Sequence, residues 1–361
     1  MTIIPPPAIV LLTGANGYIG SWVTKVLLEA GYSVTGTVRS AEKGEAWVKL
    51  YAKDEATKSK EVKFVVVEDI TLDGAFDEAV KGVHAIVHTA SPVVLNHTDD
   101  PSVIIDPAIK GTVGILESAL KFGFNVKRII SLSSAAAVLS LQPTPRTFSE
   151  LDWNDQSVEQ VKKEGKDAPG IAKYRASKTL AEKASWKFME KHKKELEGRF
   201  DLVAFAPPFV FGPQLPTLHL SKPEEMTFSS YLLYKALVLG DFHVGSPITP
   251  AGLWVDVRDL ADATLLAIGG RDGAGGERII VSAGEFIWQD FLDALHSTSP
   301  SPFPPSRMAE LPKGEPGTTG KDVVHPILYD TSKLEKVLGV KVRGIEESVR
   351  DTVRDYEGRG W

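Results

Sequence analysis

The sequence of 361 residues contains no cysteine. That absence removes disulfides, thiolate metal sites and thiol nucleophiles together. It fits a reducing compartment, so a cytoplasmic protein is expected. Long apolar runs are missing too. The apolar run at residues 8–13 is too short to span a bilayer. The opening Met-Thr-Ile-Ile-Pro-Pro-Pro lacks the basic region and apolar stretch of a signal peptide. No membrane association is expected. Nor is there an excess of positive charge: 41 Lys and Arg stand against 47 Asp and Glu, a net charge of −6. Nucleic acid is therefore not an expected partner. The runs Lys58-Ser-Lys60 and Lys191-His-Lys193-Lys194 read as solvated faces. Three chemistries also lack their motif. There is no Gly-x-Ser-x-Gly elbow for hydrolysis, no His-Glu-x-x-His for zinc, and no Walker lysine.

What is present is an ordinary folding composition, with hydrophobic residues at 43%, enough for a real core. Short apolar runs alternate with helical periodicity along the first two hundred residues. Strands are expected at 8–13, 33–38, 62–67, 85–89, 128–133 and 201–206. Helices are expected at 19–30, 41–56, 106–121 and 172–194. This alternation predicts an α/β fold with a doubly wound parallel sheet and right-handed crossovers. After Pro207 the texture changes: Pro and Gly become dense and the elements shorten. Residues 207–361 are expected to form mainly a smaller lobe over the carboxyl edge of the sheet, some segments returning to the first domain, residues 1–206. Ligands of open α/β sheets bind at that edge. The Lys-, Glu- and Gly-bearing stretch 156–169 and the Pro-rich stretch 297–306 read as surface loops.

The first strand runs into a glycine loop with Gly14, Gly17 and Gly20. The first glycine permits a tight turn, the second lets backbone approach a pyrophosphate, and the third lets the helix pack against the sheet. Phosphate then meets the free N–H groups of the helix N-terminus. The expected cradle comprises Gly14, Asn16, Gly17, Tyr18, Ile19 and Gly20. The second strand ends in Val38-Arg39-Ser40, with Lys43 one turn on and no carboxylate at the tip. An acid there would suit the ribose hydroxyls of NAD, whereas the planar fork of Arg39 suits a 2′-phosphate. NADPH is therefore expected over NADH by about ten- to a hundredfold. Asp69-Ile70 follows the third strand: Asp69 either accepts from an adenine amino group, with Ile70 on the ring, or caps the next element. Thr89, Ala90 and Ser91 are small enough for backbone to run along a cofactor. His88 reads as a satisfied buried histidine.

The proton-transfer candidates lie downstream. Tyr174 and Lys178 are four residues apart in Tyr-Arg-Ala-Ser-Lys, so a helix places them on one face. A phenol with an ordinary pKa near ~10 is a poor proton donor, and a neighbouring cation is expected to lower that value. Ser133-Ser134-Ala135 ends the fifth strand, where a hydroxyl can polarise a carbonyl oxygen.

The glycine loop, Arg39, Ser134 and Tyr174-x-x-x-Lys178 together resemble the extended short-chain dehydrogenase/reductase family. The similarity is greatest to its dihydroflavonol-reductase-like branch, which includes fungal NADPH-dependent aldehyde, ketone and methylglyoxal reductases. Supporting runs are His88-Thr-Ala-Ser-Pro92, Lys110-Gly-Thr112, Glu150-Leu-Asp-Trp153-Asn154, Pro207-Pro-Phe-Val210-Phe-Gly-Pro213 and Trp254-Val-Asp256-Val-Arg-Asp259. The resemblance implies a Rossmann-type sheet binding NADPH/NADP and a small-molecule carbonyl substrate, in a monomer or homodimer. It implies that Tyr174 protonates the carbonyl oxygen. Lys178 would tune Tyr174 and hold the nicotinamide ribose, and Ser134 rather than Ser133 would orient the carbonyl. Pro207 and Val210 would border the nicotinamide, and Arg39 and Lys43 would hold the 2′-phosphate. Phe209, Phe211, Leu215, Leu218, His219, Phe228 and Tyr231 would give an apolar pocket. Alternatives in the same family are a nucleotide-sugar epimerase or dehydratase and a 3β-hydroxysteroid dehydrogenase. A non-catalytic NADPH-binding protein would be expected to have lost Tyr174 or Lys178. The run Ala135-Ala-Ala-Val138 lacks the asparagine of plant flavonoid reductases, which argues against a dihydroflavonol substrate.

Overall fold

The structure, a computed structural model, describes residues 3–53, 56–57, 60–91, 100–215, 218, 220–243, 245–270, 273–301 and 303–361. The strands in chain order are β1 (Ile9–Thr13), β2 (Ser33–Val38), β3 (Val62–Val66), β4 (Ala85–His88), β5 (Arg128–Leu132), β6 (Arg146–Phe148), β7 (Asp201–Ala206), β8 (Phe209–Phe211), β9 (Pro250–Asp256), β10 (Arg278–Ile280), β11 (Gly284–Ile287) and β12 (Ile327–Tyr329). The first helices are α1 (Tyr18–Glu29), α2 (Ala41–Lys53), α3 (Ser102–Phe122), α4 (Asp155–Glu164) and α5 (Gly170–Lys191).

A seven-stranded, all-parallel sheet in the order β3-β2-β1-β4-β5-β7-β10 forms the centre. Successive side chains on a strand point to opposite faces, and here both faces are covered. Val10, Leu12, Val87, Ile130 and Val203 join one core with Val23 and Leu27 of α1. Leu11, Ile86, Ile129 and Leu202 join the other with Ile115, Leu116 and Ala119 of α3. This is why β1 reads as an unbroken apolar run rather than an alternating one.

The late segments return to this sheet. Strand β10 adds its outer edge beside β7, and the helix Val257–Leu265 buries Leu260 and Ala263 in the α1 core. The lobe proper is built on the sheet β11-β9-β8. Its core is aromatic: Phe211 packs against Trp254, Phe286, Trp288 and Phe291 at centroid distances of 6.4, 5.5, 5.8 and 5.4 Å.

Four features differ from the sequence reading. Stretch 156–169 is not a loop but mostly helix α4 followed by a 3₁₀ turn. The Asn154 side chain caps it by accepting from the Ser157 N–H at 3.0 Å. Its sparse apolar face, Val158 and Val161, packs on Ile105, Ala172 and Ala176, so tertiary packing supplies what the polar sequence lacks. Helix α3 begins at Ser102, ahead of the expected residue 106. Strands β6 and β12 pair in parallel across the chain, Arg146 opposite Ile327, and neither was expected. The Pro-rich stretch gives way to a short helix, Pro305–Glu310.

At the base of β5, Arg128 is fully buried. Its Nε and Nη2 both donate to the Asp201 carboxylate at 2.7 Å. Removing the carboxylate leaves a buried guanidinium without its counter-charge. Asp201→Ala is expected to lower stability by about 3–5 kcal/mol, read from the urea midpoint.

Candidate active site

The site is assembled at the carboxyl ends of β1, β2, β4, β5 and β7. Strand β1 stops where Gly14 takes a φ of +67°, open to glycine at little cost. Gly17 N–H then donates to Gly14 O at 3.0 Å. A Cβ on Gly20 would sit 2.3 Å from Gly14 O, so that position admits only glycine. Gly17 differs: it is exposed, and a Cβ there would meet only Gly14 O, at 3.2 Å. Gly17 is also the N-cap of α1, with no side-chain cap and no acid in the first turn. The helix therefore presents unpaired N–H groups and the positive end of its dipole, which fits a phosphate-bearing cofactor. Asn16 is half-buried beside it. The side chains of Tyr18 and Ile19 turn away from the cradle. Tyr18 donates to Gly212 O at 2.9 Å, and Ile19 packs on the core.

Next to this turn a polar knot fixes the end of β4. Thr13 Oγ1 lies 2.9 Å from His88 Nδ1 and accepts from Ala90 N–H at 3.1 Å. Thr89 Oγ1 donates to Thr13 O at 2.6 Å. Burial, helped by the Lys178 charge, pushes His88 down to about 4, so it is neutral near pH 7. This is the satisfied histidine expected from sequence. Pro92 lies outside the described residues, as do His219 and the first two residues of the run 58–60.

At the tip of β2, Arg39 and Lys43 are exposed, and neither makes a salt bridge among the described residues. Asp69 feels the Arg39 and Lys110 charges, but its carboxylate is engaged in its own turn. It accepts from the Thr71 N–H at 2.8 Å and the Thr71 hydroxyl at 2.7 Å. Those bonds, and then Arg39, hold it below the usual carboxylate range. Ile70 packs toward Gly111 of α3, where a Cβ would come within 2.9 Å of its Cδ1.

The proton-transfer candidates come together. Ser134 sits in extended backbone at the head of a 3₁₀ turn, Ala135–Ala137. Its hydroxyl accepts from Ala136 N–H at 3.1 Å and is near enough to the Tyr174 phenol to favour the phenolate. Lys178 Nζ donates to Ser91 Oγ at 2.9 Å and lies 5.9 Å from the Tyr174 ring centroid. Ser133 is occupied elsewhere, donating to Glu182 at 2.5 Å. Pro207 is buried and its carbonyl accepts from Ala135 N–H at 2.9 Å; Val210 is buried in the core beside it.

The electrostatics depart from expectation. The cation was to lower the phenol. Instead burial raises Tyr174, only partly offset by the Ser134 hydrogen bond. Lys178 points at Ser91 rather than at the phenol oxygen, and burial lowers it to about 8. Desolvation is the leading cause on both groups. The apolar residues divide as well. Phe211 and Leu215 are core, at 0% and 5% exposure, whereas Phe228 is 45% exposed and Phe209 and Tyr231 are partly buried. Sequence reasoning also missed Glu182, Arg278, Asn154 and Tyr329, which surround the serine turn. Two of these carried a signal: Asn154 ends a run quoted for the family resemblance, and Glu182 continues the four-residue spacing of Tyr174 and Lys178.

His88 gives a pH test. The unfolded chain binds a proton as pH falls below 6.5, whereas the folded chain resists until about 4. Its stabilising contribution is full above pH 6.5 and is lost between there and 4. The total is about 3 kcal/mol. Urea midpoints at falling pH are expected to show this decline in the native chain and not in His88→Asn.

Comparison with known proteins identifies the family. Residues 10–282 match the model of the NAD dependent epimerase/dehydratase family. The chain is 35% identical over 351 residues to the ketoreductase azaE of Aspergillus niger, covering 95% of this chain and 96% of that one. It is 32% identical over 365 residues to the NADPH-dependent methylglyoxal reductase GRE2 of Saccharomyces cerevisiae, covering 97% and 99%. The solved structure of yeast methylglyoxal/isovaleraldehyde reductase Gre2 complexed with NADPH superposes with a TM-score of 0.81 at 31% identity, over 97% of this chain and 99% of that one. The chain therefore belongs to the NAD dependent epimerase/dehydratase family, that is, to the extended short-chain dehydrogenases/reductases.

Proposed function

We propose that the chain is an NADPH-dependent carbonyl reductase that converts aldehydes, ketones or ketoesters to alcohols. The observation that carries this reading is that the Ser134 hydroxyl lies close enough to the Tyr174 phenol to favour its ionised form, with Lys178 one turn along α5 and an uncapped helix N-terminus after the glycine loop. Kinship to an NADPH-dependent reductase and a ketoreductase supports it. Residues 1–206 would mainly hold the cofactor and 207–361 mainly the substrate.

The backbone of Gly14, Asn16, Gly17 and the start of α1 would take the pyrophosphate. Arg39 and Lys43, free of salt bridges among the described residues, would take the 2′-phosphate. NADPH, when bound, supplies the hydride. Ser134 donates a hydrogen bond to the substrate carbonyl oxygen, fixing its direction and stabilising charge as it develops. Tyr174, held protonated at neutral pH by burial, passes its proton from Oη to that oxygen. Lys178, still largely cationic near pH 7, stabilises the phenolate left behind and holds sugar hydroxyls at Ser91. Water then reprotonates Tyr174. The tip of β2 carries Arg39 where a nucleotide-sugar enzyme of this family would carry an acid, so that alternative lacks support here.

The test is oxidation of NADPH, and separately NADH, with a panel of aldehydes, ketones and ketoesters. Rapid turnover with NADPH is expected. Failure with every carbonyl would end this reading. Tyr174→Phe is expected to lower kcat by roughly 10²–10⁴ while NADPH still binds; unchanged turnover would remove Tyr174 from the chemistry. Arg39→Ser is expected to cut the NADPH preference about tenfold or more, with little change for NADH. An equal loss with both cofactors would show that Arg39 does not read the 2′-phosphate.

A further inference from the structure

The serine turn is tied down in an unusual way. Three consecutive carbonyls, of Ala135, Ala136 and Ala137, each accept a hydrogen bond from a side chain in a different part of the chain. Tyr329 Oη donates to Ala135 O at 3.1 Å, Asn154 Nδ2 to Ala136 O at 2.9 Å, and Arg278 Nη2 to Ala137 O at 3.2 Å. Asn154 N–H adds a second bond to Ala137 O at 2.9 Å. Within this short 3₁₀ turn Ala135 O accepts backbone N–H bonds from Val138 at 3.0 Å and Leu139 at 3.1 Å, and the later carbonyls are bonded from outside it. These three side chains complete it.

Arg278 is the hub. It is 7% exposed and uses Nε and Nη2 on the Glu182 carboxylate, at 2.6 and 3.2 Å. Its Nη1 donates to the Glu150 carbonyl at 2.9 Å and to Asp152 O. Its guanidinium stacks on Trp153 at 3.7 Å. Glu182 also accepts from Ser133, the residue before Ser134. Glu182 stands four residues after Lys178 and eight after Tyr174 on α5, so all three share one helix face. One helix thus aims the phenol and, through Glu182, grips the chain beside the serine.

We propose that Glu182, Arg278 and Tyr329 are positioning residues for the proposed reduction, holding the Ser134 hydroxyl in register with the Tyr174 phenol. The inference rests on the carbonyl-reductase reading. A fully satisfied ion pair buried at this place is costly to desolvate and earns little stability by itself. Its geometry does what an apolar pair cannot: a planar fork of five donors reaches one carboxylate and three carbonyls together. A shift of the turn of about 1 Å would misplace the serine hydroxyl for catalysis.

Tyr329→Phe tests this with a small lesion, because the ring stays against Phe148 and only the oxygen on Ala135 is lost. In the active enzyme kcat is expected to fall about three- to tenfold, the range one neutral hydrogen bond carries, with NADPH binding by fluorescence unchanged. In a Ser134→Ala background the same change is expected to cost less than about twofold, because the hydroxyl it positions is gone. The same loss in both backgrounds, or no loss in either, would overturn the proposal while the wild type still reduces carbonyls. A wild type that turns over no carbonyl would overturn the proposal together with the reading beneath it, and is recognised before any variant is made.

Discussion

Helix α5 carries Tyr174, Lys178 and Glu182 at four-residue spacing, and each meets a different strand end or its continuation. Tyr174 reaches Ser134 after β5, Lys178 reaches Ser91 after β4, and Glu182 reaches Arg278 on β10. A rotation of the helix would break all three together. The register of one helix against the sheet edge is therefore the constraint on which the site depends. The apolar side of the same segment secures it: Ala172 and Ala176 pack with Val161 and Ile105, and Phe188 enters the core under β7. Small residues near the reacting groups let α5 lie close to its neighbours, and larger ones fix it further along.

The charges follow from this packing. A parallel sheet covered on both faces leaves polar groups only its edge, where Lys178 and His88 are buried. Burial lowers Lys178 to about 8 and raises Tyr174. Both shifts favour the less charged form. His88 follows the same rule, and its descent to about 4 owes a second part to Lys178. One cation and one protonated phenol thus face the cleft near neutral pH. In the proposed reduction the nearby ammonium stabilises the negative charge left on the phenol as its proton departs.

Much of this was legible in the sequence. The strands at 33–38 and 201–206 stand at the expected residues, because apolar runs between glycines or polar turns leave little choice. The glycine spacing, Arg39, Ser134, Tyr174 and Lys178 are local patterns, so their places followed from short-range rules. Three kinds of information were hidden. Helix α4 has two apolar residues on its packing face and draws its stability from α5 and Ile105. The pairing of β6 with β12 and the bond of Arg278 to Glu182 join residues far apart in sequence. The sign of the Tyr174 shift depends on how dry the site is and where Lys178 points, and spacing reports neither. Phe211 read as a pocket residue because it is aromatic and lies after Pro207, but one residue along a strand reverses the face, and Phe211 faces the lobe core.

That short segment after Pro207 links the halves of the site. At its start, Pro207 O receives the N–H of Ala135 at 2.9 Å, next to the serine. Strand β8 then pairs in parallel with β9 and enters the lobe. At its end, Gly212 O receives the Tyr18 hydroxyl and Pro213 O receives Trp22 Nε1, each at 2.9 Å. Both donors lie in the first turns of α1, the helix that begins at the glycine cradle. Gly212 has a φ of +116°, and a Cβ there would lie 3.1 Å from Asp256 Oδ1, so the chain can make this bend only with glycine. Seven residues therefore span the distance from the serine turn to the phosphate cradle, with the lobe hung between. A lobe displaced from the sheet would have to strain the backbone that holds Ser134 and the helix end that awaits phosphate. The proposed proton donor, cofactor cradle and substrate lobe are thus joined through hydrogen bonds to the backbone of this one segment.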